Sequence, residues 1–510
     1  MTPHDLLANF EILAEAPNGI QCLRKLVLEL AVRGKLVEQD GKDEPIHEAL
    51  NRILGQQKAQ QRPEGVFDLP GSWAWVSGED TFEFITSGSR GWAQYYASDG
   101  PIFLRIGNLD YDTTALDLRD IQRVNPPSGA EGQRTATRSG DVLVSITGDT
   151  GMIGLVPDGF DTAYINQHIA LCRPTVTTWA PYIATVLLAP FAQDQFRAGE
   201  RGIKKSLGLG DIRGLRLPIP PEAEQRRIVA RVDELMDLLD RLKAKRQERE
   251  AARTATRDSA IDALREAPTA DDFETAWLRI QDRFHELFAT PEDVEPLRAL
   301  VYELAVCGRL VEPNPEQWAS CRLDETGEWA IGAGFPTALQ GRSDQEYGFC
   351  KVSDMNLPGN DRYITRTNHT VSAHDLQILR AKAHPPGTVI FPKIGGAIAT
   401  NKRRLLARPT AIDNNCLGIT PRREVLAEWL FLILKSINLS KYQSGTSVPA
   451  LAQGVIGAIR VKVPSIQAQQ ETLHRVDELM SLLSRLSQVL TNNWDFASGF
   501  AAAAVHHVET

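Results

Sequence analysis

Two stretches of the chain place apolar residues at alternating steps of four and three, the spacing of a helix that packs along one face. The first stretch carries Ile228, Val232, Leu235, Leu239 and Leu242, and the second carries Val476, Leu479, Leu483, Leu486 and Leu490. The pattern predicts two long helices, and an unbroken first helix would be about 65 Å long at ~1.5 Å per residue. We expect their matching seams to pack on each other as a coiled coil. The alternative is two surface helices, each covering its own domain.

The residues around these seams are repeated. RVDELMDLLDRL at 231–242 returns as RVDELMSLLSRL at 475–486, identical at 10 of 12 positions. LRKLVLELAVRGKLVE at 23–38 returns as LRALVYELAVCGRLVE at 297–312, identical at 12 of 16. Each copy of the longer motif predicts a short amphipathic helix that ends in a glycine cap. The chain is therefore an internal duplication.

Landmarks between the repeats keep their spacing to within a few residues. Trp73 corresponds to Trp318, and GDVLVSITG at 140–148 corresponds to GTVIFPKIG at 387–395. The surplus of the first half lies before Trp73, in EPIHEALNRILGQQKAQQRPEG, which predicts an inserted amphipathic helix with a polar tail. Short β-branched runs between Gly, Pro, Asn and Asp predict a compact domain of mixed α/β or mostly β structure in each half.

The predicted fold class is α+β, with two similar globular domains separated by long helices that form an antiparallel coiled coil, in a pseudo-two-fold internal repeat. The predicted segments are an N-terminal helical region (1–38), a helical insertion or linker (39–71), a first globular domain (72–220), a central helix (221–267), a linker with the repeated short helix (268–312), a second globular domain (313–464), and a C-terminal helix and tail (465–510).

Composition narrows the class of protein. The charges are 56 Lys and Arg against 65 Asp and Glu, a net −9, which argues against a basic coat but leaves room for a local basic cleft. No apolar run approaches the roughly 20 residues that span a bilayer, and the acidic N-terminus is unlike a secretion signal, so we expect a cytoplasmic protein. Six scattered cysteines without a C-x-x-C pair indicate neither a zinc module nor a disulfide framework.

LPIPPEAEQRRIVARVDELMDLL, repeated with variation as VKVPSIQAQQETLHRVDELMSLL, resembles the repeated helical region of the specificity subunit of type I restriction-modification systems. PGSWAWVSGEDTFEFITSG and EQWASCRLDETGEWAIGAG are similar to the usual start of that family's target recognition domains. The resemblance covers essentially the whole chain and rests on an ordered set of features. The second copy departs from the pattern, with Gln469 and Gln470 in place of Glu224 and Gln225.

The resemblance implies a noncatalytic subunit that reads a bipartite, asymmetric site on double-stranded DNA, one half-site per domain. Half-sites about one helical turn apart, ~34 Å or ~10 bp, would be read from one side of the duplex. It also implies that the repeated helices dock two methyltransferase (modification) subunits, and that restriction translocase-nuclease subunits complete the complex.

Two other classes stay open: a scaffold or adaptor whose duplicated domains bind protein or another ligand, and a self-sufficient DNA methyltransferase. Asn125-Pro126-Pro127 matches the start of the adenine-methyltransferase motif, but Ser128 stands where an aromatic ring would stack on a flipped base. The phosphate-loop pattern G-x-x-x-x-G-K-[ST] does not occur. We therefore expect no cofactor.

DNA contacts are expected from polar and basic side chains of the two domains. The candidates of the first domain are Arg90, Trp92, Gln94, Tyr95, Arg105, Asn108, Asn166, Gln167, Arg201, Lys204 and Lys205. Those of the second are Gln340, Arg342, Lys351, Asn356, Lys393, Asn401, Lys402, Arg403, Arg404, Asn414 and Asn415. The Asn-Gln and Asn-Asn pairs occupy equivalent positions, and side-chain amides suit bidentate contact with adenine. Trp92 is either a stacking ring or a core residue.

Overall fold

The computed structural model describes residues 10–56, 62–126, 129–311, 318–445 and 448–509. Parts of three predicted features, namely residues 57–61 of the insertion, Glu312 of the repeat, and Pro127 with Ser128, lie outside these ranges. The chain forms two compact units, residues 1–250 with 494–510 and residues 251–493. Helices and strands build both units, so the predicted α+β class is confirmed.

The first unit contains eight described helices and nine described strands. The helices are α1 (Phe10–Glu15), α2 (Gly19–Val32), α3 (Ile46–Leu54), α4 (Gly78–Thr81), α5 (Ala130–Thr135), α6 (Ala180–Leu188), α7 (Pro190–Gly199) and α8 (Leu209–Arg213). The strands are β1 (Ala74–Ser77), β2 (Phe82–Ser87), β3 (Tyr96–Leu104), β4 (Gln122–Val124), β5 (Val142–Ser145), β6 (Ile153–Leu155), β7 (Ala163–Ile165), β8 (Ile169–Pro174) and β9 (Arg216–Ile219). A long helix, α9 (Glu222–Glu266), begins in this unit and ends in the second.

The strands of the first unit form two small sheets and a closing pair. One sheet has the order β2-β8-β5-β6 and is antiparallel throughout, and the other has the order β4-β3-β7. The side chains of β5 are all buried, as the apolar run of this strand predicts. Strands β1 and β9 pair antiparallel, with Ala74 opposite Ile219, and so join the start of the domain to its end.

The second unit carries the remaining elements. Its helices are α10 (Ala270–Asp282), α11 (Phe284–Leu287), α12 (Val294–Val306), α13 (Ala373–Leu379), α14 (Ala427–Ser436), α15 (Gln453–Gly457) and most of α16 (Ile466–Glu509). Its strands are β10 (Ala319–Arg322), β11 (Gly327–Ile331), β12 (Tyr347–Cys350), β13 (Tyr363–Ile364), β14 (His369–Val371), β15 (Val389–Pro392), β16 (Arg404–Leu406), β17 (Thr410–Ile412), β18 (Cys416–Pro421), β19 (Gln443–Ser444), β20 (Ala450–Leu451) and β21 (Arg460–Val463).

The second unit repeats the strand order of the first. Its larger sheet runs β11-β18-β15-β16 and adds β13 at the edge, and its smaller sheet runs β14-β12-β17. Strands β10 and β21 close the domain with the register of the first unit, since Ala319 lies opposite Val463. The two halves therefore share one fold, as the constant spacing of their landmarks predicts.

The two repeated sequence motifs contact each other inside each unit. Arg24 of α2 donates from Nη1 to Met236 Sδ of α9 at 3.5 Å, and from Nη2 to the carboxylate of Asp240. In the second unit Arg298 of α12 donates to Met480 Sδ of α16 at 3.8 Å. The repeats thus encode one junction, between a short helix and a long one, that the chain uses twice.

The apolar seams pack within their own units. Ile228, Val232, Leu235 and Leu239 are buried, and Leu242 half-buried, in the core that also contains α2. In the second unit Val476 joins the domain core, and Leu483 packs against a cluster that α12 and the end of α9 form, with Leu300, Ile261 and Leu264 among its members. Leu479, Leu486 and Leu490 are half-buried. The first seam therefore covers its own domain, whereas the second also meets the end of α9, and packing of the two seams on each other along their length stays a prediction.

The sequence alignment that set Gln469 and Gln470 against Glu224 and Gln225 is wrong by one residue. Gln225 Nε2 donates to Pro220 O at 3.0 Å, and Gln469 Nε2 donates to Pro464 O at 2.9 Å. The glutamine that caps the end of the last strand is therefore retained in both copies. The residue that differs is Glu224, because Ala468 occupies its position.

Candidate nucleic-acid interface

One edge of the first unit brings together three segments, each of which carries predicted DNA-contact residues. They are the loop 88–95 after β2, the turn 165–168 between β7 and β8, and the hairpin 201–206 after α7. Ser89 forms a backbone bridge with Asn166, and Thr147 forms one with Ser206. Both the turn and the hairpin bond to Ile146, which directly follows β5. Ile146 N donates to His168 O at 2.8 Å, and Leu207 N donates to Ile146 O at 2.9 Å. We call this surface the first edge.

Trp92 anchors the loop of the first edge from inside the protein. Its ring is buried and stacks on Phe103, with centroids 5.3 Å apart and planes within 11°. Tyr164 and Tyr95 pack against the same ring. Trp92 is therefore a core residue rather than a ring that stacks on DNA bases, because its side chain is buried against Phe103 and Tyr164.

Asn108 and Arg105 also hold the fold. Asn108 is buried, and its Nδ2 donates to Asp117 O at 2.7 Å and Asp120 O at 3.1 Å, while its Oδ1 accepts from Arg105 N. The half-buried Arg105 forms an ion pair with Asp120 at 2.9 Å. A fully bonded, buried amide cannot reach a base edge, so we remove Asn108 from the candidate contacts.

The turn of the first edge keeps polar groups accessible. Asn166 and Gln167 are half-buried and line a cavity of about 180 Å³ beside the loop 88–95. Asn166 Oδ1 accepts from His168 N at 3.0 Å, and Gln167 Nε2 lies 3.0 Å from His168 Nε2. Within the described chain Asn166 Nδ2 has no hydrogen-bond partner, so this amide has a donor available for a ligand.

The hairpin of the first edge is a short, well-bonded projection. Arg201 and Ser206 exchange backbone hydrogen bonds of 3.0 and 3.1 Å, and Gly202, at φ +78°, supplies the turn. Arg201 pairs with Asp211 through two bonds of 2.7 and 2.8 Å, which lowers the pKa of the Asp211 carboxyl. Lys205 pairs with Glu200 at 3.0 Å. Lys204 is the cation of this hairpin that has no carboxylate partner among the described residues.

The second unit repeats this arrangement as a second edge, made of the loop 333–342, the turn 413–415 and the hairpin that β19 and β20 form. Ala333 bridges Asp413, as Ser89 bridges Asn166, and Lys393 N donates to Asn415 O at 2.9 Å, as Ile146 N donates to His168 O. The predicted equivalence of Asn166 and Gln167 with Asn414 and Asn415 is therefore wrong by one residue, since Asp413 and Asn414 take their places. Leu451 N in turn donates to Lys393 O at 2.9 Å, the bond that Leu207 makes in the first unit. Residues 446 and 447 of this hairpin lie outside the described ranges.

Phe335 anchors the loop of the second edge. Its ring stacks on Phe349 at 3.7 Å, within 12° of parallel, in the role that Trp92 has on Phe103. Gln340 donates to Phe335 O at 3.1 Å, and Arg342 pairs with Asp375 at 3.1 Å. We did not predict Phe335 from the sequence, where the one available signal was an aromatic residue in a Gly-rich loop after a strand.

The two arginines of the basic run 401–404 are buried inside the second unit. Arg403 is buried and donates to Leu434 O at 3.0 Å, to Lys402 O and to Asn401 Oδ1, both at 2.7 Å. Burial lowers its pKa to about 9. Arg404 is also buried and donates to Met355 O at 2.9 Å. These guanidinium groups satisfy backbone carbonyls, so the prediction for both arginines is wrong.

The other candidates divide into two groups. Lys402 bonds to Asn356, whereas Lys351 is half-buried beside the turn of the second edge, since the preceding Cys350 O accepts from Asp413 N at 3.0 Å. The candidates that the two edges present are Arg90, Gln94, Asn166, Gln167, Arg201, Lys204, Lys205, Gln340, Arg342, Lys393, Asn414 and Asn415. Arg134, which the sequence analysis missed, braces the first edge through Ser89 Oγ at 2.8 Å.

Within the described ranges, no group of three or more His, Cys, Asp or Glu side chains is placed to hold a metal ion. No described helix is both long and apolar enough to cross a membrane.

Comparison with known proteins shows which proteins the chain resembles. Two Escherichia coli proteins match 60% of the chain: the type I restriction enzyme EcoAI specificity subunit, 26% identical over 332 residues, and the EcoEI specificity subunit, 27% identical over 330. The chain is similar to these two specificity subunits over the matched residues. It spans about half the length of these curated relatives, 54% of each. No protein-family model matches it.

A solved structure supports the fold of this specificity-subunit relative. A chain from a study of complex assembly and conformational transition of the type I R-M system superposes with a TM-score of 0.55. The superposition covers 87% of this chain and 99% of that one, at 17% sequence identity. The likeness therefore extends across the duplicated domains and the helices that frame them.

Proposed function

We propose that the chain is the noncatalytic DNA-recognition subunit of a type I restriction-modification complex in the cytoplasm. The target recognition domains are residues 72–220 and 313–464, and each reads one half of a bipartite, asymmetric sequence. The modification and restriction chemistry belongs to partner subunits, two methyltransferase subunits and the translocase-nuclease subunits.

The observation that carries the proposal is the pair of equivalent edges. Both use a loop held by stacked aromatic rings, a turn of two amide side chains and a hairpin bonded to one strand end. The framework is constant, whereas the exposed side chains differ: Arg90 and Lys204 have no counterparts of the same type, and Asp413 and Asn414 take the places of Asn166 and Gln167. Two copies of one framework with different polar tips suit two different half-sites.

The repeated junctions support docking of the two modification subunits. A groove of about 370 Å³ in the first unit is lined by Arg24, Asp233 and Met236. A groove of about 230 Å³ in the second unit is lined by the equivalent Arg298, Asp477 and Met480. We assign one modification subunit to each groove, because residues of the repeated sequence line both grooves.

Selection from a pool of random DNA duplexes tests the recognition function. The full chain, assembled with its modification subunit, is expected to enrich two unlike half-sites at a fixed separation, with binding that weakens as salt rises. Exchange of residues 72–220 for the corresponding domain of another family member should change one half-site and leave the other. A pool without any enriched sequence would contradict the proposal and favour a scaffold that binds protein.

Two further measurements address the partners. Native mass spectrometry should show two modification subunits on the wild-type chain and one on Asp233→Arg or on Asp477→Arg, because each change reverses one groove's charge. Loss of both subunits from either single variant would contradict one subunit per groove. Calorimetry should show no binding of S-adenosylmethionine to the lone chain, and binding would favour a self-sufficient methyltransferase.

A further inference from the structure

The tip of the hairpin 201–206 carries an apolar side chain that the fold does not use. Ile203 has a relative exposure of 106%, the highest of the large hydrophobic residues that the structure describes. An isoleucine held wholly in water loses the free energy of burial that its side chain would otherwise gain. Its neighbours supply no apolar cover, since Lys204 and Lys205 follow it directly.

The hairpin presents Ile203 on a fixed support. Arg201 and Ser206 close it through paired backbone bonds, and Lys205 O accepts from Gly148 N at 2.9 Å. The bidentate pair of Arg201 with Asp211 ties its base to the start of α8. The side chain is therefore projected from a braced turn.

The surroundings of Ile203 match those of a wedge in DNA. The hairpin lies beside the polar turn of Asn166 and Gln167, and it carries the unpaired cation of Lys204 next to the apolar tip. Proteins that bind the minor groove and kink DNA insert an Ile, Leu, Phe, Met or Pro side chain between base steps, beside Arg, Lys, Asn or Gln side chains that contact the groove.

We propose that Ile203 inserts between two stacked base pairs of the first half-site. The inference rests on the proposed DNA-recognition function and adds a mode of contact to it. The first domain would then read its half-site partly through the ease with which one base step unstacks, as well as through hydrogen bonds to base edges. Steps that separate easily, such as TA and CA, would be favoured at the insertion point.

The test uses the duplex that the selection experiment yields, with single 2-aminopurine substitutions at every position except the base that becomes methylated. The base fluoresces more strongly when it is unstacked. In the complex of the full chain with its modification subunit, and without S-adenosylmethionine, fluorescence is expected to rise at one step of the first half-site. Ile203→Ala should lose most of this rise, and Ile203→Leu should retain it.

Two matched variants separate insertion from other effects. Lys204→Ala is expected to weaken binding at all sequences and to lower the salt slope by about one, with the fluorescence rise unchanged. Ile12, 71% exposed on α1, a helix that α9 holds through the bond of Arg249 to Glu15, provides an exposed isoleucine for comparison, and Ile12→Ala should change neither quantity.

The outcomes against the inference are distinct from those against the function. If Ile203→Ala keeps the full fluorescence rise on a duplex that is still bound selectively, insertion is wrong and recognition stands. If the variant instead releases the modification subunit, the tip is a protein contact and insertion is again wrong. A failure to enrich any sequence in the selection would defeat the recognition function itself.

Discussion

The two recognition domains meet the same structural demands with different chemistry. In the first unit Asp141 and Arg173 lie opposite each other at the ends of β5 and β8, and form two hydrogen bonds of 2.7 and 2.8 Å. The equivalent residues of the second unit, Thr388 and Thr420, share one hydroxyl hydrogen bond of 2.9 Å. A buried ion pair and a pair of hydroxyls therefore fill one position of one framework.

In both domains, a backbone carbonyl near the end of the apolar helix also needs a hydrogen-bond donor. Leu187 O of α6 accepts from Gln193 Nε2 at 2.8 Å, and the equivalent Leu434 O of α14 accepts from Arg403 Nε at 3.0 Å. The donors come from different places, α7 in one case and the segment before β16 in the other. A basic residue in such a domain can therefore serve to hydrogen-bond a backbone carbonyl as readily as to contact DNA.

The largest effect is expected from breaking the ion pair of the first unit. Asp141→Ala leaves the guanidinium of Arg173, 15% exposed, without its carboxylate. We expect a loss of about 3–5 kcal/mol in the free energy of unfolding, since removal of one partner leaves a buried charge unpaired. Hydrogen exchange should rise in peptides of β5 and β8, with peptides of the second unit as an internal reference.

The double variant Asp141→Thr with Arg173→Thr is the matched control, because it installs the residues of the second unit. It should restore exchange protection to within about 1 kcal/mol of the wild type, since both buried polar groups then have a partner. A double variant as damaged as Asp141→Ala would show that the two sites are not equivalent.

A smaller loss is expected when the helix cap of the second unit is removed. Arg403→Met keeps a long apolar stem but leaves Leu434 O and Asn401 Oδ1 without their donor. The expected cost is about 2–4 kcal/mol, at roughly 1–3 kcal/mol per unsatisfied group. Thermal unfolding followed by exchange in α14 measures it, and DNA binding by the folded protein should be retained. Binding that falls while α14 stays protected would return Arg403 to the DNA contacts.

The repeated junction should tolerate exchange of its outer polar residue. Asp240→Ser gives the first unit the residue that the second has at Ser484, which accepts from Arg298 Nη2 at 3.2 Å. Because Asp240 is 64% exposed, we expect a change below about 1 kcal/mol. Urea denaturation monitored in α2 tests this, and a large loss would mean that the ion pair, rather than the shared Arg-Met contact, holds the junction.

The smallest effect is a pH dependence confined to the second unit. Burial lowers the pKa of His384, so the folded protein keeps this ring neutral where the unfolded chain takes up a proton. Stability is therefore complete above the ordinary histidine pKa of about 6.5 and decreases as the pH falls through that value. Exchange of second-unit peptides at about pH 5.5 and 7.5 should show the loss, and His384→Gln should remove it. An unchanged slope in the variant would assign the effect to another group.

The sequence predicted the framework well because repetition and apolar periodicity record backbone packing. The two long helices, the common fold of the two halves and the buried run of β5 follow from those signals. The sequence did not predict what each apolar seam packs against, because a leucine stripe such as that of α9 can cover either another helix or the surface of a domain.

Individual contact residues were less predictable, because residue type does not report burial. Asn108 and Arg403 have the chemistry of DNA contacts, but both are buried and bonded to carbonyls far away in the sequence. Ile203 was missed for the opposite reason, since apolar residues are expected inside and its exposure depends on the hairpin.

The central claim is that one framework is used twice to present different side chains to DNA. Its most direct test is a chain in which residues 73–219 are replaced by residues 318–463, so that both positions carry the second domain. Duplex selection with the modification subunit should then return two copies of the second half-site and none of the first. A chimera that folds, assembles and still enriches the original first half-site would contradict the account.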